Sequence, residues 1–167
     1  MRFSELTAVF LIASLVLLAG CAGAPARPTA VAAPSPHAPA QRLDRGERAA
    51  LIAREQIGIQ YRYGGMNPAT GFDCSGLVYY SYTQAGITVP RTSSDQFRAA
   101  RKISLADAQP GDVVFFQDQE KLSHVGIYLG QRRFIHAPSS GRTVSVANID
   151  SPYYQEHLVA VGRLTSL

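Results

Sequence analysis

A chain of 167 residues with 46% hydrophobic and 17% charged side chains has an ordinary globular balance, and its length fits one domain. The net charge of +4 comes without a clustered basic stretch, which excludes a nucleic-acid footprint of the usual kind.

The first element is the apolar run Leu6 to Ala19, preceded by Arg2. It is too short to span a bilayer, which takes roughly 20 residues, and it fits the central region of a secretory signal peptide. The run ends Leu18-Ala19-Gly20-Cys21, which resembles the lipobox of bacterial lipoproteins. That resemblance implies a signal peptide over residues 1–20, with Cys21 lipidated as the mature first residue and its acyl chains held in a membrane. Each buried methylene would contribute about 0.8 kcal/mol to the anchor. Ala22 after the cysteine implies, by the same resemblance, the periplasmic face of an outer membrane. The plainer alternatives are an ordinary signal peptide with a chance cysteine, or an uncleaved anchor.

Residues 21–41 follow, with Pro25, Pro28, Pro34, Pro36 and Pro39 among alanines. Such a segment favours extended polyproline conformations and forms a semi-stiff tether reaching up to roughly 60 Å. Beyond it, residues 42–167 read as the folded domain. No second module is legible beside it, which leaves lipid attachment as the localising device. The chain has two cysteines. If Cys21 carries lipid, Cys74 has no partner, and an exported protein usually pairs its thiols. Reactive nucleophile and inert core cysteine both stay open on counting alone.

In the domain, Arg45 to Ile57 carries Ala49, Ile52, Ala53 and Ile57 at helical spacing, stopped by Gly58. Tyr61 to Gly65 reads as an extended piece entering a turn. Asp73 to Ala85 predicts a second, buried helix with Asp73 as its cap and Gly86 as its stop. A short helix is expected over residues 92–100. After Pro110-Gly111 the pattern changes to strands at residues 112–117, 123–129, 132–136, 143–147 and 158–164. Helices first and strands afterwards argue for an α+β fold, with the N-terminal helices packed on an antiparallel sheet of about five strands.

Cys74 lies just past the proposed helix cap. Free backbone N–H groups and the helix dipole there are expected to lower its thiol pKa. A thiol nucleophile needs a base, and histidine is the usual partner. His124 opens one apolar strand and His136 ends the next. Each is six residues from Gly130, so a hairpin around Gly130 would set them nearly opposite and yield a Cys–His–His relay. Each histidine could equally be a hydrogen-bonded structural residue. A metal site from the three lacks the close ligand spacing of most zinc sites, so neither metal nor organic cofactor is expected. His157 reads as a surface residue.

Six blocks occur in order: Tyr61-Arg62-Tyr63-Gly64-Gly65, Phe72 to Val78, Val89-Pro90-Arg91, Gly111 to Phe116, His124 to Tyr128, and Phe134-Ile135-His136-Ala137. Together they resemble the NlpC family of bacterial cell-wall peptidases. The resemblance implies a papain-like fold, hydrolysis of peptide bonds in peptidoglycan stems, and a thioester intermediate. It implies Cys74 as nucleophile, His124 as base, His136 as the residue that orients it, and Tyr61 as an oxyanion donor, with Tyr63 two residues away as a rival. Asp73, Ser75 and Arg91 would contact substrate, against plainer readings of Asp73 as a cap and Arg91 as a surface charge. Gly111-Asp112 reads as a turn that fixes the sheet. The implied partners are stem peptides and a membrane. The bond is either the D-alanyl to diaminopimelate crosslink or the D-glutamyl to diaminopimelate bond. The rival readings are a non-catalytic wall-binding lipoprotein and an amidase or acyltransferase using the same site.

Overall fold

A computed structural model describes residues 44–119, 121–139 and 141–165. The expected leader, Cys21 and the expected tether up to residue 41 lie outside the described residues. The first helix, α1 (Arg45–Glu55), opens on a capping box formed by Asp44 and Glu47 and presents Ala49, Ala50 and Ala53 as its buried stripe. It stops short of the expected Ile57. The Gln56 amide turns back to the Ala53 carbonyl, and Ile57 is left exposed before Gly58 at φ 90°.

Two short strands, β1 (Met66–Asn67) and β2 (Gly71–Phe72), pair antiparallel ahead of α2 (Cys74–Gln84). The second helix is buried as expected, with Leu77, Val78 and Tyr82 closed to solvent. Its buried positions run round most of the barrel, which suits a helix enclosed by other elements rather than a surface one. Helix α3 (Ser93–Ala99) starts on Thr92, whose hydroxyl accepts the Asp95 amide.

The main sheet is antiparallel. Among the described residues it holds six strands, not five, in the order β3-β8-β4-β5-β6-β7. These are β3 (Arg101–Ile103), β4 (Val113–Asp118), β5 (Lys121–Gly130), β6 (Arg133–His136), β7 (Ser145–Asn148) and β8 (Leu158–Arg163). The extra strand is β3, an edge segment beginning Arg101-Lys102 that pairs with β8. Its exposed basic residues hide it from a hydrophobic pattern and also protect the edge. A further helix, α4 (Pro152–His157), was not foreseen, although Ser151-Pro152 is an N-terminal signature.

Helix α4 explains why Val113 to Phe116 is a continuous apolar run rather than an alternating one. All four residues are buried. Val113 and Phe115 face the core shared with α1 and α2, while Val114 and Phe116 face a second core with Tyr154 of α4. A sheet covered on both faces needs no polar side. At one end, Asp112 is buried, accepts the Gln109 amide, and binds the Arg163 guanidinium through both oxygens at 2.7 and 2.8 Å. This clasp ties the turn at Gly111 to the last strand, the sheet-fixing part expected of Gly111-Asp112.

Candidate active site

Cys74 is the first residue of α2, and Asp73 is its N-cap. Asp73 Oδ1 accepts the Gly76 amide at 2.6 Å, the Ser75 hydroxyl at 3.2 Å and Arg91 Nη1 at 3.0 Å. Its Oδ2 accepts the Gly64 amide at 2.9 Å and Arg91 Nη2 at 2.8 Å. Arg91 also donates to Ser75 Oγ at 2.9 Å and to the Gly65 carbonyl at 3.2 Å. Asp73, Ser75 and Arg91 are thus brought together in one network beside the cysteine. Asp73 is a cap, but a cap paired with a guanidinium, and Arg91 is not an isolated surface charge. A fork of this kind fixes geometry through two parallel charged bonds.

The loop before the helix packs against it through glycine. A Cβ on Gly76 would stand 2.0 Å from the Gly65 carbonyl oxygen, and one on Gly65 would stand 2.3 Å from the Gly71 oxygen. Real side chains do not fit there, so the Tyr61–Gly65 loop can lie on the helix start only with glycine at both positions. The same Gly65 carbonyl accepts the Asp73 amide at 3.0 Å. The two tyrosines separate cleanly. Tyr61 is half-buried against the core that includes Cys74, and its hydroxyl senses the charges of Cys74 and Asp73. Tyr63 is 90% exposed. The Gly65 amide bonds back to the Arg62 carbonyl, so the extended segment ends at Arg62 and Tyr63 belongs to the turn. The two rings therefore lie in different surroundings, although two residues apart in an extended segment would set them on one face.

The histidines come from the sheet. His124 Nε2 lies 2.7 Å from His136 Nδ1, with the rings edge-on at 4.9 Å and 77°. They are not directly opposite. The hairpin turns on Gln131 and Arg132, both at positive φ (52° and 57°), and a register shift falls between Tyr128 and Gly130. Ile127 pairs with Ile135, so His136 falls beside Gly126, two residues from His124 on the same face. The contact is therefore diagonal across the ladder. His136 is 3% exposed, walled by Phe134 at 5.0 Å and by Tyr154 of α4 at 5.5 Å. That role of Tyr154 was missed at the sequence level.

The amides of Val125, Ser75 and Cys74 itself lie near enough to the sulfur to favour its charged form. The Val125 amide belongs to the peptide joining it to His124, so the thiol sits against the backbone that carries the first imidazole. Despite these donors, the thiol pKa is raised. Burial is the largest cause and the Asp73 carboxylate the next. This corrects the expectation of a lowered pKa, because desolvation and a neighbouring anion outweigh the helix terminus. Burial also pushes His124 down to about 4, and burial, His124 and Arg142 push His136 down to about 3. Both imidazoles rest neutral. For His124 Nδ1 to accept a proton, the His124 proton must sit on Nε2 and point at His136 Nδ1. Among the described residues no cluster of His, Cys, Asp and Glu could hold a metal ion.

Gln96, fully buried, is another residue the sequence pattern did not single out. Its Nε2 donates to the carbonyls of Ser75 at 3.0 Å and Pro90 at 2.8 Å. It thereby bolts the Arg91 segment to the first turn of α2.

A cysteine opening a buried helix, set against an imidazole pair on an antiparallel sheet, defines a papain-like α+β protein. Comparison with known proteins narrows this class. The profile of the NlpC/P60 family matches residues 58–163, and the chain belongs to that family. It is 46% identical over 125 residues to the bifunctional muramidase/DL-endopeptidase CwlT of Bacillus subtilis, covering 73% of this chain and 37% of that protein. It is 41% identical over 115 residues to the murein DD-endopeptidase MepH of Escherichia coli, covering 66% of this chain and 42% of that one. The chain thus spans well under half the length of these curated relatives. A crystal structure of a Staphylococcus aureus NLP/P60-family protein, described as similar to lipoprotein, superposes with a TM-score of 0.67. It is 36% identical, over 78% of this chain and 45% of that one.

Proposed function

We propose that this protein is a lipid-anchored cysteine endopeptidase of peptidoglycan, with Cys74 as nucleophile, His124 as general base and acid, and His136 as the residue that orients His124. The observation that carries this reading is the sulfur at the His124–Val125 peptide with the 2.7 Å contact between the two imidazoles behind it. The naming of relatives as murein DD- and DL-endopeptidases supports the substrate.

The chemistry starts from the neutral pair. As the Cys74 sulfur attacks the scissile carbonyl, its proton passes to His124 Nδ1, and the new positive charge is shared with His136 through the Nε2–Nδ1 bond. The oxyanion faces the Cys74 amide and the Tyr61 hydroxyl; one such donor contributes about 3 kcal/mol. His124 then protonates the leaving amine as the carbon–nitrogen bond breaks, leaving a thioester. Water, deprotonated by His124, adds to the thioester and releases the acid with the thiol restored. On the acyl side, Asp73, Ser75 and Arg91 form the wall that meets the stem peptide. No metal or organic cofactor enters the cycle.

Cys21 carries the lipid in this reading, residues 1–20 are the leader, residues 21–41 the tether and residues 42–167 the catalytic domain. The enzyme then works from a membrane, on the periplasmic face of an outer membrane. Labelled palmitate incorporated by the wild-type chain and lost in Cys21→Ala is the expected result; equal labelling of the variant rejects the anchor.

The wild-type chain should release muropeptides from purified peptidoglycan, and Cys74→Ala should release none while melting at the wild-type temperature. Digestion by that variant at the wild-type rate would reject Cys74 as the nucleophile. The masses of the products distinguish the D-alanyl to diaminopimelate crosslink from the D-glutamyl to diaminopimelate bond.

A further inference from the structure

Beyond the histidine pair lies a cavity of about 470 Å³ lined by Pro138, Ser139, Arg142, Tyr153 and Tyr154. Pro138 and Ser139 continue the chain from His136. Tyr154 stands edge-on to the His136 ring, and Tyr153 stands at 82° to Tyr154 with ring centroids 5.3 Å apart. The Arg142 main chain is fixed to the cleft, because its carbonyl accepts the Tyr61 amide at 2.8 Å. Its guanidinium is close enough to His136 and Tyr154 for its charge to act on both. Among the described residues no carboxylate lies within ion-pair distance of Arg142, whereas Arg91, Arg98, Arg132 and Arg163 each have one. The cavity is therefore aromatic-walled, with one cationic fork left over to face a ligand.

Its position relative to the chemistry says which part of the substrate it meets. The acyl carbon is joined to Cys74 at the start of α2, beside Asp73 and Arg91. The leaving nitrogen must lie at the His124 ring that protonates it. The amine-side residue therefore extends past the histidines toward α4. Resting on the peptidoglycan reading above, we infer that this cavity is the subsite for the amine-side residue, and that Arg142 holds the free carboxylate of that residue, the one not used in the stem's own peptide bonds. In both candidate bonds the amine component is diaminopimelate, which gives only a nitrogen to the scissile amide; of its two carboxyl groups one can carry the stem peptide onward while the other stays free. A planar guanidinium suits that group, since it can grip a carboxylate through two parallel hydrogen bonds. The tyrosine rings cover the aliphatic chain of the same residue.

The test uses the full chain and a crosslinked muropeptide dimer in two forms, with that carboxylate free or converted to a carboxamide. The wild type should favour the free carboxylate by about tenfold in kcat/KM, the scale of one charge-assisted hydrogen bond. Arg142→Gln should remove that preference, chiefly through KM, and Arg142→Lys should keep part of it. Because the Arg142 side chain is exposed, both variants should melt with the wild type. Normal cleavage with an unchanged preference in Arg142→Gln overturns the subsite and leaves the functional reading intact. A wild-type chain that cleaves neither form and releases nothing from whole peptidoglycan overturns the functional reading, and the subsite with it.

Discussion

The two flanks of Cys74 are built from opposite materials. On one side, Asp73, Ser75, Arg91 and the Gly64–Gly65 backbone form a polar lattice in which both carboxylate oxygens are occupied several times over. On the other, His124 and His136 share one hydrogen bond and are otherwise enclosed by Phe116, Phe134 and Tyr154. The polar flank fixes position through many directional bonds. The aromatic flank fixes protonation, because a dry surround keeps both imidazoles neutral. In the proposed mechanism, the sulfur between them receives its placement from one side and its base from the other.

Substitutions should divide along the same line. His124→Ala removes the base, and kcat should fall by about 10³-fold, within the usual range for a general acid–base group. The melting temperature should drop as well, since the buried His136 Nδ1 loses its partner and a cavity is left beside it. A kcat within tenfold of wild type would break the division of labour. Arg91→Leu acts on the other flank and should show first in stability. It leaves Asp73 with an unpaired, mostly buried charge, for which a loss of about 2 kcal/mol is expected in urea unfolding. Unchanged unfolding would mean that the helix start does not depend on the lattice.

Acid should expose the aromatic flank alone. The folded-state value of His124 is about 4 against 6.5 for the free group, so below pH 6.5 the unfolded chain takes up a proton that the native chain refuses. Stability from this group is complete above pH 6.5 and is lost as pH falls toward 4, at roughly 1.4 kcal/mol per pH unit for each such imidazole. His124→Gln should flatten part of that slope, and an identical slope in the variant would assign it elsewhere. The acid limb of kcat/KM should correspondingly lie well below the ordinary histidine value. The slightest substitution, Tyr61→Phe, removes one hydroxyl at the boundary between the flanks. A fall in kcat of about 10²-fold without a change in KM is expected if the hydroxyl meets the oxyanion; a change in KM alone would place it against the ground-state substrate.

Much of this architecture was legible in the sequence because local rules govern it. Asp73 before an apolar helix, Thr92 before a short one, and the strand pattern after Pro110-Gly111 each determined an element of the right kind. The bringing together of Cys74, His124 and His136 followed from a helix start and two neighbouring strands. What was not legible depends on partners remote in the chain. Arg91 finds Asp73 eighteen positions away, and no periodicity announces that. The diagonal contact of the histidines depends on a register shift near Gly130, which a symmetric count from the turn overlooks. Helix α4 was hidden in a polar stretch, and β3 in a basic one. The thiol pKa was misjudged because a helix terminus is visible locally, whereas burial belongs to the whole fold.

The raised thiol pKa has a chemical consequence of its own. Peroxide and disulfide reagents attack the thiolate and largely spare the protonated sulfur. An unpaired cysteine sent beyond a reducing cytosol would be a ready target if it were permanently ionised. Here burial favours the protonated sulfur, and in the proposed cycle it surrenders its proton to His124 only while forming a bond to carbon. The proposed nucleophile would thereby be spared oxidation between turnovers.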